Sequence, residues 1–284
     1  MARRHANPMK TRVLTGVAIL VPSIYLIGWS PKWLYLGVLI VLVERCLHEY
    51  FHITRQTGAK ALPILGYAGG GAICATQWAS LRYSQGLEFA ALVLLLVLIP
   101  SLALWKVSDL KEYLGAVSAA VFGVVYVAFT FSCLFPLRFS TLGSGLANGR
   151  QVVFFLFAVV IAGDIFAYFT GRLFGRRLMF QRVSPKKTIV GSVGGLAASL
   201  IIGWAYARWF WQTTDWKIVL PLALAVAIAG QTGDLVESAL KRGAGLKDSG
   251  ALLPGHGGLL DRVDSLLLGA PALWLMLEFR SLIH

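Results

Sequence analysis

The sequence predicts an all-α membrane protein in which about nine helices cross the bilayer. Of its 284 residues, 57% belong to the set AVILMFWYC and only 14% are charged, whereas charged residues make up roughly 25% of ordinary soluble domains. The mean hydropathy is +0.71. Apolar residues come in long continuous runs, which disfavours the alternating pattern of a membrane β-barrel. This composition excludes a soluble globular enzyme, a disordered chain and a coiled coil.

Nine runs are counted as spans, since a spanning helix needs about 20 mostly apolar residues. The third is the weakest because the glycines at 69–71 interrupt it. The first follows three basic residues but lacks a convincing cleavage site, so we expect a signal anchor. The runs are 12–29, 33–53, 62–80, 88–105, 113–136, 151–173, 190–210, 217–240 and 259–279.

The charge distribution predicts the orientation of these spans. The chain has 26 Lys and Arg residues against 13 Asp and Glu, a net charge of +13. With a cytoplasmic N-terminus, 19 of the 26 basic residues lie on the inner side of the membrane and 7 on the outer side. Cytoplasmic loops are enriched in Lys and Arg. We therefore expect a cytoplasmic N-terminus, contact with anionic lipids and no nucleic-acid partner.

The acidic residues divide the chain into two parts. Residues 1–150 hold five carboxylates, all at span ends or in loops, whereas residues 151–284 hold eight. Among the eight, Asp164, Asp234 and Glu237 fall inside apolar runs. A carboxylate at mid-bilayer costs about 2.5–3.5 kcal/mol on insertion scales. We therefore expect a catalytic part at 151–284 with cytoplasmic active-site loops, and a scaffold for lipid access at 1–150.

The sixth run carries polar residues on one helical face. Asp164, Tyr168, Gly171, Arg172 and Gly175 follow the spacing i, i+4, i+7, i+8 and i+11. The alternative interpretation is a tightly packed interface of small residues with a stray carboxylate. That alternative does not explain a carboxylate at this depth, so the face predicts a ligand-binding surface.

A segment rich in lysine and hydroxyl groups follows this helix. Residues 184–188 read Ser-Pro-Lys-Lys-Thr and lead to glycines at 191, 194 and 195 in the next helix. Lysine charges, hydroxyl groups and free N–H groups at a helix N-terminus suit phosphate oxygens. A positive loop that only anchors the topology explains the basic residues equally well.

The eighth and ninth runs bring more acids and bases together. Asp234, Ser238 and Lys241 share one helical face, and Asp261 and Asp264 are neighbours in the first two turns of the ninth helix. Several carboxylates around Mg²⁺, with Lys and Arg left for phosphates, are the general arrangement for phosphoryl and nucleotidyl transfer.

Residues 238–264 carry a longer pattern, S-x-L-K-R-x4-K-D-x-G-x2-L-P-x-H-G-G-L-x-D-R-V-D. It resembles the signature of the phosphatidate cytidylyltransferases, or CDP-diacylglycerol synthases. The resemblance is strong over 150–284, and over 1–150 it is limited to a similar pattern of apolar spans. The matching positions are Ser238, Lys241, Arg242, Lys247, Asp248, Gly250, Pro254, His256, Gly257, Gly258, Asp261, Arg262 and Asp264.

The resemblance implies a membrane enzyme that makes CDP-diacylglycerol and pyrophosphate from CTP and phosphatidate with Mg²⁺. It leaves open a second cation and a homodimer. We assign catalytic roles to Lys241, Arg242, Asp248, His256 and Arg262. We assign substrate and phosphate binding to Ser184, Lys186, Lys187, Thr188, Ser238, Lys247, Gly257 and Gly258. Metal binding is assigned to Asp234 and Asp261, with Asp264 and Asp164 as additional or supporting groups.

One position departs from the family pattern. The family usually has an aromatic residue, Glu and Gly after its Lys-Lys-Thr, whereas this chain has Ile189, Val190 and Gly191. The missing carboxylate leaves open a paralogue with a changed lipid acceptor, or a non-catalytic membrane scaffold. A CTP-dependent lipid kinase, which would release CDP and phosphorylate an alcohol, is a further alternative.

Residues 48–52 read His-Glu-Tyr-Phe-His and fit the short zinc motif HExxH. On a helix, His48 and His52 would share a face and Glu49 would serve as base, as in a metalloprotease. No third zinc ligand is apparent in the sequence, and aromatic and His residues are ordinary anchors at a span end. An intramembrane zinc metalloprotease is therefore the weaker interpretation.

Overall fold

The computed structural model describes residues 8–83, 86–141, 146–211, 215–252 and 257–283. Each of the nine apolar runs lies on one helix, except the fifth, which lies on three helices and a π-helical segment, Val124–Phe129. The helices are α1 (Pro8–Trp29), α2 (Lys32–Gln56), α3 (Pro63–Ser80), α4 (Leu87–Lys106), α5 (Leu110–Gly123), α6 (Thr130–Ser132), α7 (Leu134–Phe139), α8 (Gly149–Phe174), α9 (Ile189–Phe210), α10 (Trp216–Gly243) and α11 (Leu260–Ile283).

Five described helical stretches are long and apolar enough to cross a membrane. Large apolar side chains point outward from them, as Leu104 and Trp105 do, with exposed fractions of 62% and 89%. Lipid tails solvate such surfaces, so the chain has the architecture of a helical membrane protein. The five stretches are Leu87–Lys106, Leu110–Phe139, Gly149–Phe174, Ile189–Phe210 and Trp216–Gly243.

A small antiparallel hairpin corrects the all-α prediction. Strand β1 (Leu178–Phe180) pairs with β2 (Ser184–Thr188), with Leu178 opposite Thr188 and Phe180 opposite Ser184. The hairpin connects α8 to α9, and Val183 N–H closes its turn by donating to Phe180 O at 3.1 Å. The Ser-Pro-Lys-Lys-Thr segment lacks the apolar alternation that marks a strand, and proline is tolerated only in edge strands such as this one.

The apolar core joins the two parts of the chain. One cluster contains Leu47 and Phe51 of α2, Phe155 of α8 and Leu267 of α11, all fully or almost fully buried. A second cluster joins α3, α4 and α5 around residues such as Ile73. The helices that carry the polar motifs are therefore packed against the N-terminal helices.

Glycines hold α8 and α9 close together. A Cβ atom on Gly195 would lie 2.7 Å from Gly163 O, and one on Gly191 would lie 2.8 Å from Ala167 O. Small residues allow helix backbones to approach this closely. The small-residue interpretation of the α8 face is thus correct for Gly171, which packs on Gly191.

Candidate active site

A cleft of about 590 Å³ opens between α8, β2, the start of α9 and α10. It contains polar groups from the polar face of α8, from the Ser-Pro-Lys-Lys-Thr segment and from the C-terminal half of α10. The lining residues are Asp164, Ala167, Tyr168, Gly171, Arg172, Lys186, Lys187, Thr188, Gly191, Ser192, Gln231, Asp234 and Leu235. A larger cavity of about 770 Å³, near Lys32, Glu88 and Glu278, contains none of the motif residues.

The N-terminus of α9 forms one wall of the cleft. Thr188 caps the helix, since its Oγ1 accepts a hydrogen bond from Gly191 N–H at 3.1 Å. A side chain at either Gly175 or Gly191 would be too close to the Thr188 hydroxyl. The first turn of a helix has N–H groups without helical acceptors and a positive electrostatic potential. This wall can therefore receive an anion.

An ion pair crosses the cleft from the hairpin to α10. Lys187 Nζ lies 2.6 Å from Asp234 Oδ2, and the two side chains are 27% and 31% exposed. Ser238 Oγ lies 3.4 Å from Asp234 Oδ1 on the same helix. On the opposite wall, Arg172 donates to Tyr168 Oη at 3.0 Å. The cleft thus presents cations beside a partly solvated carboxylate.

A second polar cluster lies further along α10, where it meets α11. Lys241 Nζ is 2.5 Å from both Glu237 Oε2 and Asp261 Oδ1. Glu237 is fully buried and Lys241 is 9% exposed. Asp261 Oδ2 accepts from Ser249 N–H at 2.9 Å and from Gly258 N–H at 2.8 Å. Buried charges need such pairing and hydrogen bonding, so Asp261 has a defined position.

Asp264 lies on α11 where this helix contacts α10. Its Oδ1 accepts a hydrogen bond from Ser265 N–H at 2.7 Å. A Cβ atom on Gly233 would overlap Asp264 O, so α10 and α11 are in close contact at this level. Asp264 therefore lies at the contact between the two helices that carry Asp234 and Asp261.

Comparison with known proteins identifies the family. The model of the family described as "Cytidylyltransferase family" matches residues 10–280. The chain belongs to this family. Its resemblance to phosphatidate cytidylyltransferases is thereby confirmed at the level of the family.

Relatives of the cytidylyltransferase family cover different shares of the chain. The phosphatidate cytidylyltransferase of Bacillus subtilis is 30% identical over 284 residues, which are 96% of this chain and 99% of that protein. That of Staphylococcus haemolyticus is 35% identical over 202 residues, 66% and 78% of the two chains. That of Brucella abortus is 46% identical over 147 residues, 50% and 54% of the two chains. The match thus spans about half the length of the Brucella relatives.

Each of the two carboxylates expected to share a metal is paired with a lysine. Asp234 is paired with Lys187, and Asp261 is paired with Lys241. Within the described ranges, no group of three or more His, Cys, Asp and Glu residues could hold a metal ion. Magnesium in nucleotide enzymes is usually held by one or two carboxylates and substrate phosphates. The oxygen donors of Asp164 and Asp234 in an open cleft fit that mode of binding.

Of the other predicted site residues in the described part of the chain, Lys186 lines the cleft, whereas Arg242, Lys247, Asp248 and Arg262 do not. Arg242, Lys247, Asp248 and Arg262 are exposed, and Arg242 donates to Leu246 O at 3.1 Å. Ser184 begins β2, and Lys186 projects from the same strand with an exposed side chain. His256 lies outside the described residues, as do its three preceding neighbours. Val190, where the family usually has Glu, is 41% exposed beside the cleft.

Two residues near the second cluster were not predicted as site residues. Ser249 is buried and contacts Asp261 through both its N–H and its hydroxyl. Glu49 of α2 is 3% exposed and accepts hydrogen bonds from Leu259 N–H and Leu260 N–H at the start of α11. Ser249 lies inside the matched signature, at a position where the pattern specifies no residue type. In the sequence, Glu49 stood out only as part of the HExxH motif, which suggested a zinc metalloprotease.

The zinc interpretation of that motif finds no support in the described residues. His48 and His52 are exposed, and His48 Nδ1 lies 3.1 Å from Tyr67 Oη. Both oxygens of Glu49 are occupied by hydrogen-bond donors. A general base needs an accessible lone pair near its water, and Glu49 does not offer one here.

Proposed function

We propose that this protein transfers the cytidylyl group of CTP to phosphatidate, giving CDP-diacylglycerol and pyrophosphate. The observation that supports this most directly is the cleft in which Lys187 faces Asp234 beside the capped N-terminus of α9. Membership of the cytidylyltransferase family and the names of the relatives point to the same reaction. A lysine and the N–H groups of a helix N-terminus can bind the phosphates of a nucleotide, and a carboxylate can hold the accompanying Mg²⁺.

The reaction depends mainly on neutralising the negative charge of the two substrates and on positioning them. The phosphate monoester of the lipid is largely a dianion near neutral pH, so no base is needed to create the nucleophile. It attacks the α-phosphorus of CTP in line, and pyrophosphate leaves. Repulsion between two anions is the main obstacle, and fixed positive groups lower it.

Lys187 and its neighbours supply that positive charge. A phosphate that enters the cleft competes with Asp234 for the ammonium group of Lys187. Lys186 and Arg172 lie on the rim and can hold the remaining phosphates or the lipid headgroup. N–H groups in the first turn of α9 contribute directed donors. Arginine and lysine hydrogen bonds to phosphate are charge-assisted and short.

We propose that Asp234 and Asp164 hold the divalent metal, with Asp264 as a supporting charge. When bound, Mg²⁺ supplies positive charge beside the phosphates of CTP. Asp261 is proposed to act differently from the sequence expectation: it holds Lys241 and orders the loop that ends at α11. Arg242, Lys247, Asp248, His256 and Arg262 remain candidates for contact with the lipid headgroup.

The proposed topology places this site at the cytoplasmic face of a bacterial inner membrane. The motif residues lie near the C-terminal ends of α2, α8 and α10 and near the N-terminal ends of α9 and α11. Nine alternating spans with a cytoplasmic N-terminus bring these ends to the inner side, where CTP is found. Phosphatidate reaches the cleft laterally from the bilayer, and anionic lipids contact the basic rim. Homodimerisation is compatible with this arrangement.

The test is an assay in proteoliposomes that contain phosphatidate, with CTP labelled separately at the α- and γ-phosphorus. We expect Mg²⁺-dependent transfer of the α-label to lipid and release of the γ-label as pyrophosphate. Asp234→Asn is expected to abolish transfer in protein that is inserted and folded. Glu112→Gln, which changes an exposed ion pair with Lys60, is the matched control and is expected to retain full activity.

The label also distinguishes the alternatives. Transfer of the γ-label to lipid with release of CDP would indicate a lipid kinase. Absence of transfer to lipid from either position, together with no thermal stabilisation by CTP, would indicate a non-catalytic member of the family. Unchanged transfer in the Asp234→Asn variant would overturn the assignment of Asp234.

A further inference from the structure

A carboxylate from the N-terminal part of the chain reaches the loop that precedes α11. Glu49 of α2 accepts hydrogen bonds from Leu259 N–H at 3.0 Å and from Leu260 N–H at 2.8 Å. Its Oε2 also lies 2.8 Å from Ser249 Oγ, which donates to it. Glu49 is 3% exposed, although carboxylates are rarely this buried without satisfied partners.

The two backbone donors identify the role of this contact. Leu260 is the first residue of α11 and Leu259 precedes it. N–H groups at a helix start have no acceptor within the helix, and a negative charge placed there is favoured by the helix dipole. Hydrogen bonds to a carboxylate are stronger than those between neutral groups. Glu49 therefore caps α11 from a different helix.

The cap is connected directly to Asp261. The hydroxyl of Ser249 lies 2.8 Å from Glu49 Oε2 and 3.0 Å from Asp261 Oδ2. Ser249 N–H and Gly258 N–H both donate to that same Asp261 oxygen. The other oxygen of Asp261 contacts Lys241. A change at Glu49 would therefore be transmitted to the Lys241–Asp261 pair through one shared serine and the start of one helix.

Two glycines make room for the Glu49 carboxylate. A Cβ atom on Gly250 would lie 3.0 Å from Glu49 Oε1. A Cβ atom on Gly258 would overlap both Glu49 Oε2 and Ser249 Oγ. The requirement for glycine at 258 thus has a structural cause in the contact with Glu49, independent of any approach by phosphate.

We propose that Glu49 is a positioning residue for the active site. It touches no reacting atom; it fixes the start of α11 so that Asp261 holds Lys241 in place. This inference rests on the proposed cytidylyl transfer for its kinetic test, but its structural test does not depend on activity. It also gives the N-terminal part of the chain a specific task in building the site.

The kinetic test compares Glu49→Gln with His52→Ala, an exposed neighbour on the same helix. Glutamine keeps the size of the side chain but replaces one acceptor oxygen by an amide that cannot accept. We expect kcat to fall about 100-fold, since a misplacement of about 1 Å can have this effect. The KM for CTP should change less than about threefold, because the cleft around Lys187 is untouched. His52→Ala should match the wild type.

A second measurement, hydrogen exchange, tests the role of Glu49 without depending on enzyme activity. Amide hydrogen exchange at residues 249–252 and 257–261 should accelerate in Glu49→Gln and in Ser249→Ala, and stay at the wild-type rate in His52→Ala. Wild-type exchange and wild-type kcat in Glu49→Gln would overturn the proposal. A loss of activity explained entirely by a smaller folded fraction would overturn it as well. Failure of the wild type to use CTP, with accelerated exchange in Glu49→Gln, would refute the proposed function while retaining Glu49 as the cap.

Discussion

Lys241 joins α10 to the start of α11 by contacting Asp261, twenty positions later in the chain, at 2.5 Å. The same ammonium group lies 2.5 Å from Glu237, a carboxylate without any exposed surface. One lysine thus neutralises two acids in the bundle, whereas Lys187 pairs with Asp234 in the more open cleft. The two pairs are expected to respond differently to mutation.

Replacing Lys241 by methionine should strongly destabilise the protein. The change leaves Glu237 buried without a cation, and breaking a buried ion pair by removing one partner costs about 3–5 kcal/mol. Thermal unfolding in detergent should show the loss, with Lys60→Met as the control because Lys60 is in an exposed pair with Glu112. That control should change stability by about 0–1 kcal/mol. Equal effects in both variants would contradict a structural role of the Lys241 pair.

Replacing Lys187 by methionine should affect substrate binding more than stability. Lys187 and Asp234 are each about one third exposed, so their pair should contribute no more than about 1 kcal/mol to stability. A hydrogen bond from lysine to phosphate contributes about 1.5–3 kcal/mol. We therefore expect the KM for CTP to rise about 10- to 100-fold. Lys111→Met, on an exposed helix start, is the control; an unchanged KM in Lys187→Met would argue against phosphate binding here.

Alanine at Gly258 should disturb the loop before α11. Its methyl group would overlap Ser249 Oγ and Glu49 Oε2, and overpacking of this kind costs about 1–3 kcal/mol. Both thermal stability and kcat should fall. Gly243→Ala is the matched control, since a Cβ atom there meets nothing within 4 Å. Normal activity in Gly258→Ala would mean that the loop has more room than the contacts indicate.

Chelation of divalent metal should remove activity without unfolding the protein. The described carboxylates at 234 and 261 are already paired with lysines, so their charges do not need a metal for folding. We expect EDTA to abolish transfer, excess Mg²⁺ to restore it, and the unfolding temperature to stay nearly constant. Full activity after exhaustive chelation would contradict metal binding by Asp164 and Asp234.

Much of the helical architecture could be predicted because its signal is local. Runs of apolar residues of sufficient length predict helices in a membrane without knowledge of their neighbours, and all nine runs coincide with helical stretches in the described residues. The polar face of α8 followed from helical spacing, and Asp164, Tyr168 and Arg172 do line one cleft. The β1–β2 hairpin was missed because its exposed residues carry no strand-like alternation.

By itself, the sequence determined the class of protein, the family and the polar segments that meet at the cleft, since these depend on composition, spacing and a matched signature. Only the tertiary structure decided which partner each charge takes. Asp234 pairs with Lys187 and Asp261 with Lys241 because the hairpin and the contact between α10 and α11 bring them together. It also decided the role of Glu49, whose hydrogen-bond donors lie 200 to 211 positions away along the chain. No local pattern encodes a contact of that range, because it depends on how the helices pack.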